Sequence, residues 1–191
     1  MPNWYDNNVY IKFSSPEKAK SFYEELSAAT RKNPSLMSLN RYAGKDSFCR
    51  GNIFGNNLND CEVSIRFESA WYPDFDPIIL FVDKFAKENP EITYASWSPI
   101  EEKFLSNDLS RWSWFIRLWD EKEHLPPAFR SFPEKSFFIS NKELRPILLK
   151  ALSCSKSRSI KSMVRSSNLR FGFGITMDQV EYTDISEFVE S

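Results

Sequence analysis

Glycine is scarce in this chain, 5 in 191 residues. Few positions therefore let the backbone approach a phosphate closely or turn through left-handed conformations without strain. The phosphate-cradling patterns G-x-x-x-x-G-K and G-x-G-x-x-G are absent, as is the G-x-S-x-G of a nucleophile elbow. Cysteine is rarer still: Cys49, Cys61 and Cys154 make an odd count with no C-x-x-C. That spacing argues against a disulfide scaffold, a thiolate zinc site or an iron–sulfur cluster, and it fits a reducing compartment. His124 is the sole histidine, which removes multi-histidine metal sites and leaves any Ser-His or Cys-His catalysis resting on one residue. It follows Asp120, Glu121 and Glu123 and precedes Leu125-Pro126-Pro127, the pattern of a solvated loop entering a proline turn. No apolar run is long enough to span a bilayer, and the opening MPNWYDNNVY has no apolar signal core. The expectation is a soluble cytoplasmic protein with no membrane contact, no metal and no cofactor. A net charge of −1 excludes a globally basic nucleic-acid binder.

Aromatic residues are plentiful, with Phe 17, Trp 6 and Tyr 7 in a chain that is 41% hydrophobic. Such a composition builds a packed core and excludes wholesale disorder. Asn8 to Phe13 alternates, Val9, Ile11 and Phe13 against Tyr10 and Lys12, and so predicts a half-buried strand. A helix follows. Either Ser15 caps it with Pro16 in first position, or Ser14 and Glu17 form a capping box. Ala19, Phe22, Tyr23 and Leu26 give it one inward face, and Asn33-Pro34 stops it. Residues 47–54 are the best second strand, with Gly55-Asn56-Asn57 as turn material. Cys61 to Glu68 predicts a third, with Val63, Ile65 and Phe67 inward and Glu62, Ser64, Arg66 and Glu68 outward. Asp76 reads as the cap of a second helix, with Pro77 in first position and Ile78, Phe81, Val82 and Phe85 as its stripe. Asn89-Pro90 ends it, and Ile92 to Trp97 is a fourth strand. Matching start and stop signals around two strand–helix halves predict an α+β fold: a ferredoxin-like βαββαβ sandwich over residues 1–100 with a C-terminal α/β extension over 101–191 packed on it.

Two stretches carry a family likeness. Met1-Pro2-Asn3-Trp4 followed by Asn7-Asn8-Val9-Tyr10-Ile11 resembles the start of the YubB/Api92-like proteins. Phe67-Glu68-Ser69-Ala70-Trp71-Tyr72-Pro73, leading to Asn89-Pro90-Glu91-Ile92-Thr93-Tyr94, resembles their second signature. The resemblance covers about the first hundred residues. It implies a phage- or plasmid-type accessory protein with a ferredoxin-like domain, and it supplies no catalytic residues to carry over. One segment departs from the family: Gly51-Asn52-Ile53-Phe54-Gly55-Asn56-Asn57 stands where relatives carry a Trp-rich stretch.

Beyond residue 100 the signals are fewer. Arg111 to Trp119 is apolar on both alternations, as in a strand buried on both faces, and so predicts that the sheet continues. Pro126-Pro127 and Pro133 read as an extended linker, residues 136–140 as a short strand, and Asn141 as the cap of a helix reaching Ser153 and interrupted by Pro146. Charge is polarised. Residues 142–170 carry Lys142, Arg145, Lys150, Lys156, Arg158, Lys161, Arg165 and Arg170 against Glu143 alone, whereas residues 171–191 carry five acids and no base. Three readings fit: the acidic tail folds back on the basic stretch or both are solvated, the stretch docks a charged protein, or it tracks phosphates.

The strand holding Tyr10 resembles the first motif of RNA-recognition domains, but Glu62, Ser64, Arg66 and Glu68 stand where the third strand would need stacking aromatics. Phe171 and Phe173 read as a Gly-kinked core strand. Asp74 and Asp76 read as a turn residue and a cap; only a deep pocket shared by Glu68, Asp74 and His124 would suggest an enzyme. Trp4, Trp71 and Trp97, if exposed, are hot-spot residues for a protein interface. The expectation is a non-catalytic protein that binds a protein partner, with nucleic acid as the alternative and Lys156, Arg158, Lys161 and Arg165 as the interaction residues.

Overall fold

The computed structural model describes residues 3–46, 48–121, 123–132, 135–153, 158–171 and 174–188. They form a mixed α+β protein that divides into two compact units, residues 1–107 with 183–191 and residues 108–182.

In the first unit, β1 (Trp4–Lys12) alternates strictly: Tyr5, Asn7, Val9 and Ile11 are buried, and the residues between them are partly open. It lies between two antiparallel neighbours, β3 (Glu62–Ala70) and β4 (Glu91–Ser98). With β2 (Gly51–Asn59) and β5 (Lys103–Ser106) the strand order is β2-β3-β1-β4-β5. The apolar face is covered by α1 (Pro16–Thr30), α2 (Leu36–Ala43) and α3 (Asp76–Phe85). Phe22 and Leu26, Leu36 and Leu39, and Ile78 and Phe81 join Val9, Ile11, Val63, Ile65 and Phe67 in one core. Fully burying each such side chain contributes about 1.5–3 kcal/mol. The chain returns to this core at its end. Tyr94 Oη donates to the Thr183 carbonyl at 2.8 Å, and Phe188, in a 3₁₀ turn (Ile185–Phe188), sets its ring against Phe75 at 5.8 Å and Tyr94 at 6.0 Å.

Several local expectations change. Ser15 caps α1, accepting from Lys18 N. A further helix, α2, follows Pro34; Ser35 caps its start and Gly44, at φ 91°, ends it in the left-handed conformation glycine favours. Strand β2 begins at Gly51 rather than 47 and runs through Gly55-Asn56-Asn57, which are strand residues and not a turn. Its register with β3 shifts between Ile53 and Gly55, a bulge that leaves the Phe54 ring 58% exposed. Asp76 does not cap α3: Phe75 holds that position with no side-chain cap, and Asp76 sits inside the first turn, where a carboxylate suits the helix dipole.

The second unit has its own sheet of three antiparallel strands in the order β7-β6-β8, so β6 does not continue the first sheet. The strands are β6 (Trp114–Leu118), β7 (Ser136–Ile139) and β8 (Ile175–Gln179). As expected for a strand apolar on both alternations, Trp114, Phe115, Ile116 and Leu118 are all buried. One face is covered by α4 (Asn141–Leu152) and α5 (Ile160–Phe171), through Leu144, Leu148, Met163 and Val164. Ser140, not Asn141, caps α4, in a reciprocal capping box with Glu143. Phe171 is the last residue of α5 and not part of a strand; Phe173 lies outside the described residues.

The close passage of β2 past β3 is testable at glycine. A Cβ on Gly51 would lie 2.1 Å from the Glu68 carbonyl and 2.6 Å from Leu36 Cδ1, whereas one on Gly55 meets nothing within 4 Å. In thermal and urea unfolding, Gly51→Ala is expected to lose about 1–3 kcal/mol and Gly55→Ala to stay within about 0.5 kcal/mol of the parent.

Candidate functional site

The two stretches that carry the family likeness meet through a buried polar residue. Asn7 points to the core side of β1 and has no solvent exposure. Its Nδ2 donates to the Tyr5 carbonyl and to Ser69 Oγ, each at 3.0 Å, while its Oδ1 accepts from Ser96 Oγ at 2.7 Å. The amide thus ties the central strand to both neighbours, with its nitrogen and its oxygen both bonded, which is what lets a polar group sit there. Ser69 passes the connection on: its Oγ donates to the Tyr72 carbonyl at 2.7 Å and accepts from Asp74 N at 3.2 Å. Trp71 N donates to the Asn3 carbonyl at 2.6 Å. The loop after β3 is therefore held at three points.

Held this way, Trp71 adopts φ 73°, a left-handed backbone that a non-glycine residue enters at about 1–2 kcal/mol. Trp71 is 53% exposed and Tyr72 45%. The Arg50 guanidinium lies over two indoles, 5.5 Å from the Trp4 ring and 5.6 Å from Trp71. The Arg50 carbonyl accepts from Ala70 N at 3.0 Å, so the arginine is positioned by the same strand end. A bulky residue in a strained backbone, presenting its ring to solvent, marks a candidate functional surface.

Beside it, Glu101 accepts from Asn3 Nδ2 at 3.0 Å and Tyr5 Oη at 2.7 Å and pairs with Lys103 at 2.9 Å. These bonds, Tyr5's first, pull its carboxyl down to about 2, and burial together with the carboxylate pushes the Tyr5 phenol well above its usual value. By register the open sheet face carries Asp6, Glu62, Glu68 and Glu91 against Lys12 and Arg66, an excess of carboxylates that repels a phosphate backbone. Asp6 is raised from the usual carboxyl range, chiefly by burial. Trp97 is half-buried on this face.

Of the residues singled out for chemistry, Glu68 and Asp74 belong to the first unit and His124 to the second. Asp74 is buried in the first unit and Glu68 accepts from Asn52 Nδ2 at 2.7 Å; His124 is an exposed residue of the second unit, with Nδ1 3.2 Å from Asp120 Oδ1. Burial pushes the Cys49 thiol up to about 12, away from thiolate chemistry. Among the described residues no group of three or more His, Cys, Asp or Glu could hold a metal ion, and no helix is long and apolar enough to cross a membrane.

The basic stretch belongs to the second unit. Lys161 and Arg165 stand one turn apart on the exposed side of α5, with Leu169, 81% exposed, a turn further on. Arg158, just before α5, lies along that helix, donating to Ser162 Oγ at 3.0 Å and Ser166 Oγ at 2.7 Å. Lys156 lies outside the described residues. Of the acidic tail, residues 183–188 belong to the first unit, where Ile185 and Phe188 pack against the core. Asp178, in β8, pairs with Arg117 at 3.3 Å.

Two changes test this geometry. Asn7→Ala leaves two serines and a carbonyl without their buried partner and is expected to lose about 2–3 kcal/mol in urea unfolding. Because the folded Glu101 pKa lies below its ordinary 4.5, its stabilisation is complete above about pH 4.5 and is lost as pH falls through about 2. The stability gap between wild type and Glu101→Gln should narrow over that window in urea titrations. No protein-family model matches this chain, and no curated protein or solved structure matches it either.

Proposed function

We propose that the protein is a non-catalytic accessory factor that binds a protein partner through the aromatic rim of its first unit. The observation that carries this reading is Trp71: half exposed, held in a strained left-handed backbone, and joined by Arg50 to Trp4. Tryptophan, tyrosine and arginine are the residues that dominate interface hot spots. A ring already fixed before docking loses little conformational freedom on binding. The partner that fits has an apolar pocket for the Trp71 indole, edged by basic groups opposite Asp6 and Glu68. The antiparallel order β2-β3-β1-β4, with helices on one face, supports a ferredoxin-like reading of the core. With the YubB/Api92-like resemblance, it supports a phage- or plasmid-type protein acting on a host or mobile-element protein, a step taken by analogy of fold.

The second reading is nucleic-acid binding by residues 142–170, and the observation favouring it is the exposed Lys161 and Arg165 on one side of α5. The experiment separates the two. The wild type, Trp71→Gly and the double variant Lys161→Glu/Arg165→Glu are used to capture partners from host lysate, and each is titrated with single-stranded and duplex oligonucleotides at two salt concentrations. Glycine accepts the left-handed backbone, so Trp71→Gly is expected to fold with wild-type stability within about 1 kcal/mol. It should nonetheless lose at least about 2 kcal/mol of partner binding. Capture that is indifferent to Trp71 overturns the first reading. Salt-sensitive oligonucleotide binding abolished by the charge reversal establishes the second.

A further inference from the structure

Strand β2 ends the first unit's sheet on one side, and among the described residues no strand lies beyond it. Its outer edge is covered near its start, where Ile53 N donates to the Pro34 carbonyl at 2.8 Å and Ser35 bridges Asn52. Strand edges in soluble proteins are ordinarily guarded by lysine, proline or another charge, because their unpaired N–H and C=O groups are a template for a further strand. The sequence of β2, Gly-Asn-Ile-Phe-Gly-Asn-Asn-Leu-Asn, holds none of these. Its one guard is the bulge between Ile53 and Gly55, beside the covered end. From Gly55 to Asn59 the strand runs in unbroken register against Arg66 to Glu62.

That register also tells which backbone groups face outward. Along an antiparallel strand, successive residues turn their N–H and C=O to alternate sides. Ile53 turns outward, to Pro34. The extra residue of the bulge inverts the phase, so Asn56 and Leu58 present their backbone to the open edge, while Gly55, Asn57 and Asn59 face β3. The Asn57 side chain, opposite Ser64, lies on the open face of the sheet and is exposed.

A strand without charge has nothing to select a charged partner, but it is complementary to itself. Across a two-fold axis at Asn57, the Asn56 backbone of one chain meets Leu58 of the other, and the two residues exchange N–H and C=O. The two Asn57 side chains then stand directly opposite. An amide both donates and accepts, so it pairs with its own copy as neither lysine nor glutamate can. Gly55 falls opposite Asn59, which keeps the joint clear of the Pro34–Ser35 cover.

From this arrangement we infer that the edge of β2 is occupied by a second copy of the chain, β2 pairing antiparallel with β2 about Asn57. The joint uses no residue of the Trp71 rim and stands apart from the function proposed for it.

The test is sedimentation velocity of the full chain over a rising concentration series. The mass is expected to climb from 22.4 kDa toward twice that value. Asn57→Lys sets two like charges directly opposite and should weaken dimerisation at least about fivefold; Asn57 is exposed, so the monomer keeps its fold. Trp71→Gly should leave the dimer unchanged. Asn57→Cys places two thiols at a non-hydrogen-bonded cross-strand pair, where side chains stand closest, and mild oxidation should link the two chains. Asn59→Cys, set opposite Gly55 by the same register, should link far less. A mass of one chain throughout, leaving the edge to a strand of some other protein, overturns the inference. So does a dimer indifferent to Asn57→Lys, or one that links no better through Asn57→Cys than through Asn59→Cys.

Discussion

One buried amide organises the first unit. Asn7 sits where the alternation of β1 demands an apolar side chain, between Tyr5 and Val9. A polar group there is tolerated only because Ser69 on one neighbouring strand and Ser96 on the other complete its bonds. That requirement fixes the register of three strands at once, since a slip of one residue would turn Asn7 outward and bury the carboxylate of Asp6. The same hydrogen bonds run through Ser69 into the loop after β3. The core therefore specifies the backbone of Trp71 as well as its own packing. Strain at an exposed aromatic residue persists where the surroundings over-determine it, and here the surroundings are named.

The two units suit different chemistry. The first offers rigid rings, an arginine between indoles and a sheet face rich in carboxylates. The second concentrates positive charge on α4 and α5 above a small core. The near-zero net charge of the chain conceals this division. The last described residues are held to the first unit: the Thr183 carbonyl accepts from Tyr94 Oη, and Ile185 and Phe188 pack against the core.

Where one face of an element is buried, the sequence shows it plainly. The alternation of β1 and β3, the apolar stripe of α1 and the doubly apolar β6 all stand as read, because burial imposes period and the period is visible in single residues. The failures have physical causes. Strand β2 is rich in asparagine and glycine, residues with little preference for strands. It is a strand because β3 offers it an edge and Gly51 allows close approach. Helix α2 has only eight residues, too few to show a period, although Ser35 and Gly44 mark its ends. Helix α5 was hidden by its charge: Ile160, Met163, Val164 and Ser167 recur at helical spacing beneath the serines and basic residues. Of the candidate site, Trp4 and Trp71 stand out in the sequence as large aromatic residues. That Arg50 joins Trp4 to Trp71, and that Asn7 holds the loop, depends on contacts far apart in sequence. Of the basic residues, Lys161 and Arg165 are presented to solvent, whereas Arg158 is tied to serines of α5.

The central claim is that the buried network makes the Trp71 loop as firm as the strands it joins. Native-state hydrogen exchange reads this directly, at the amides of Trp71, bonded to the Asn3 carbonyl, and of Asp74, bonded to Ser69 Oγ. Both amides are expected to exchange with opening free energies within about 2 kcal/mol of those of Val9 and Ile11 in β1. Exchange at the rate of an exposed loop, with β1 still protected, would contradict the account.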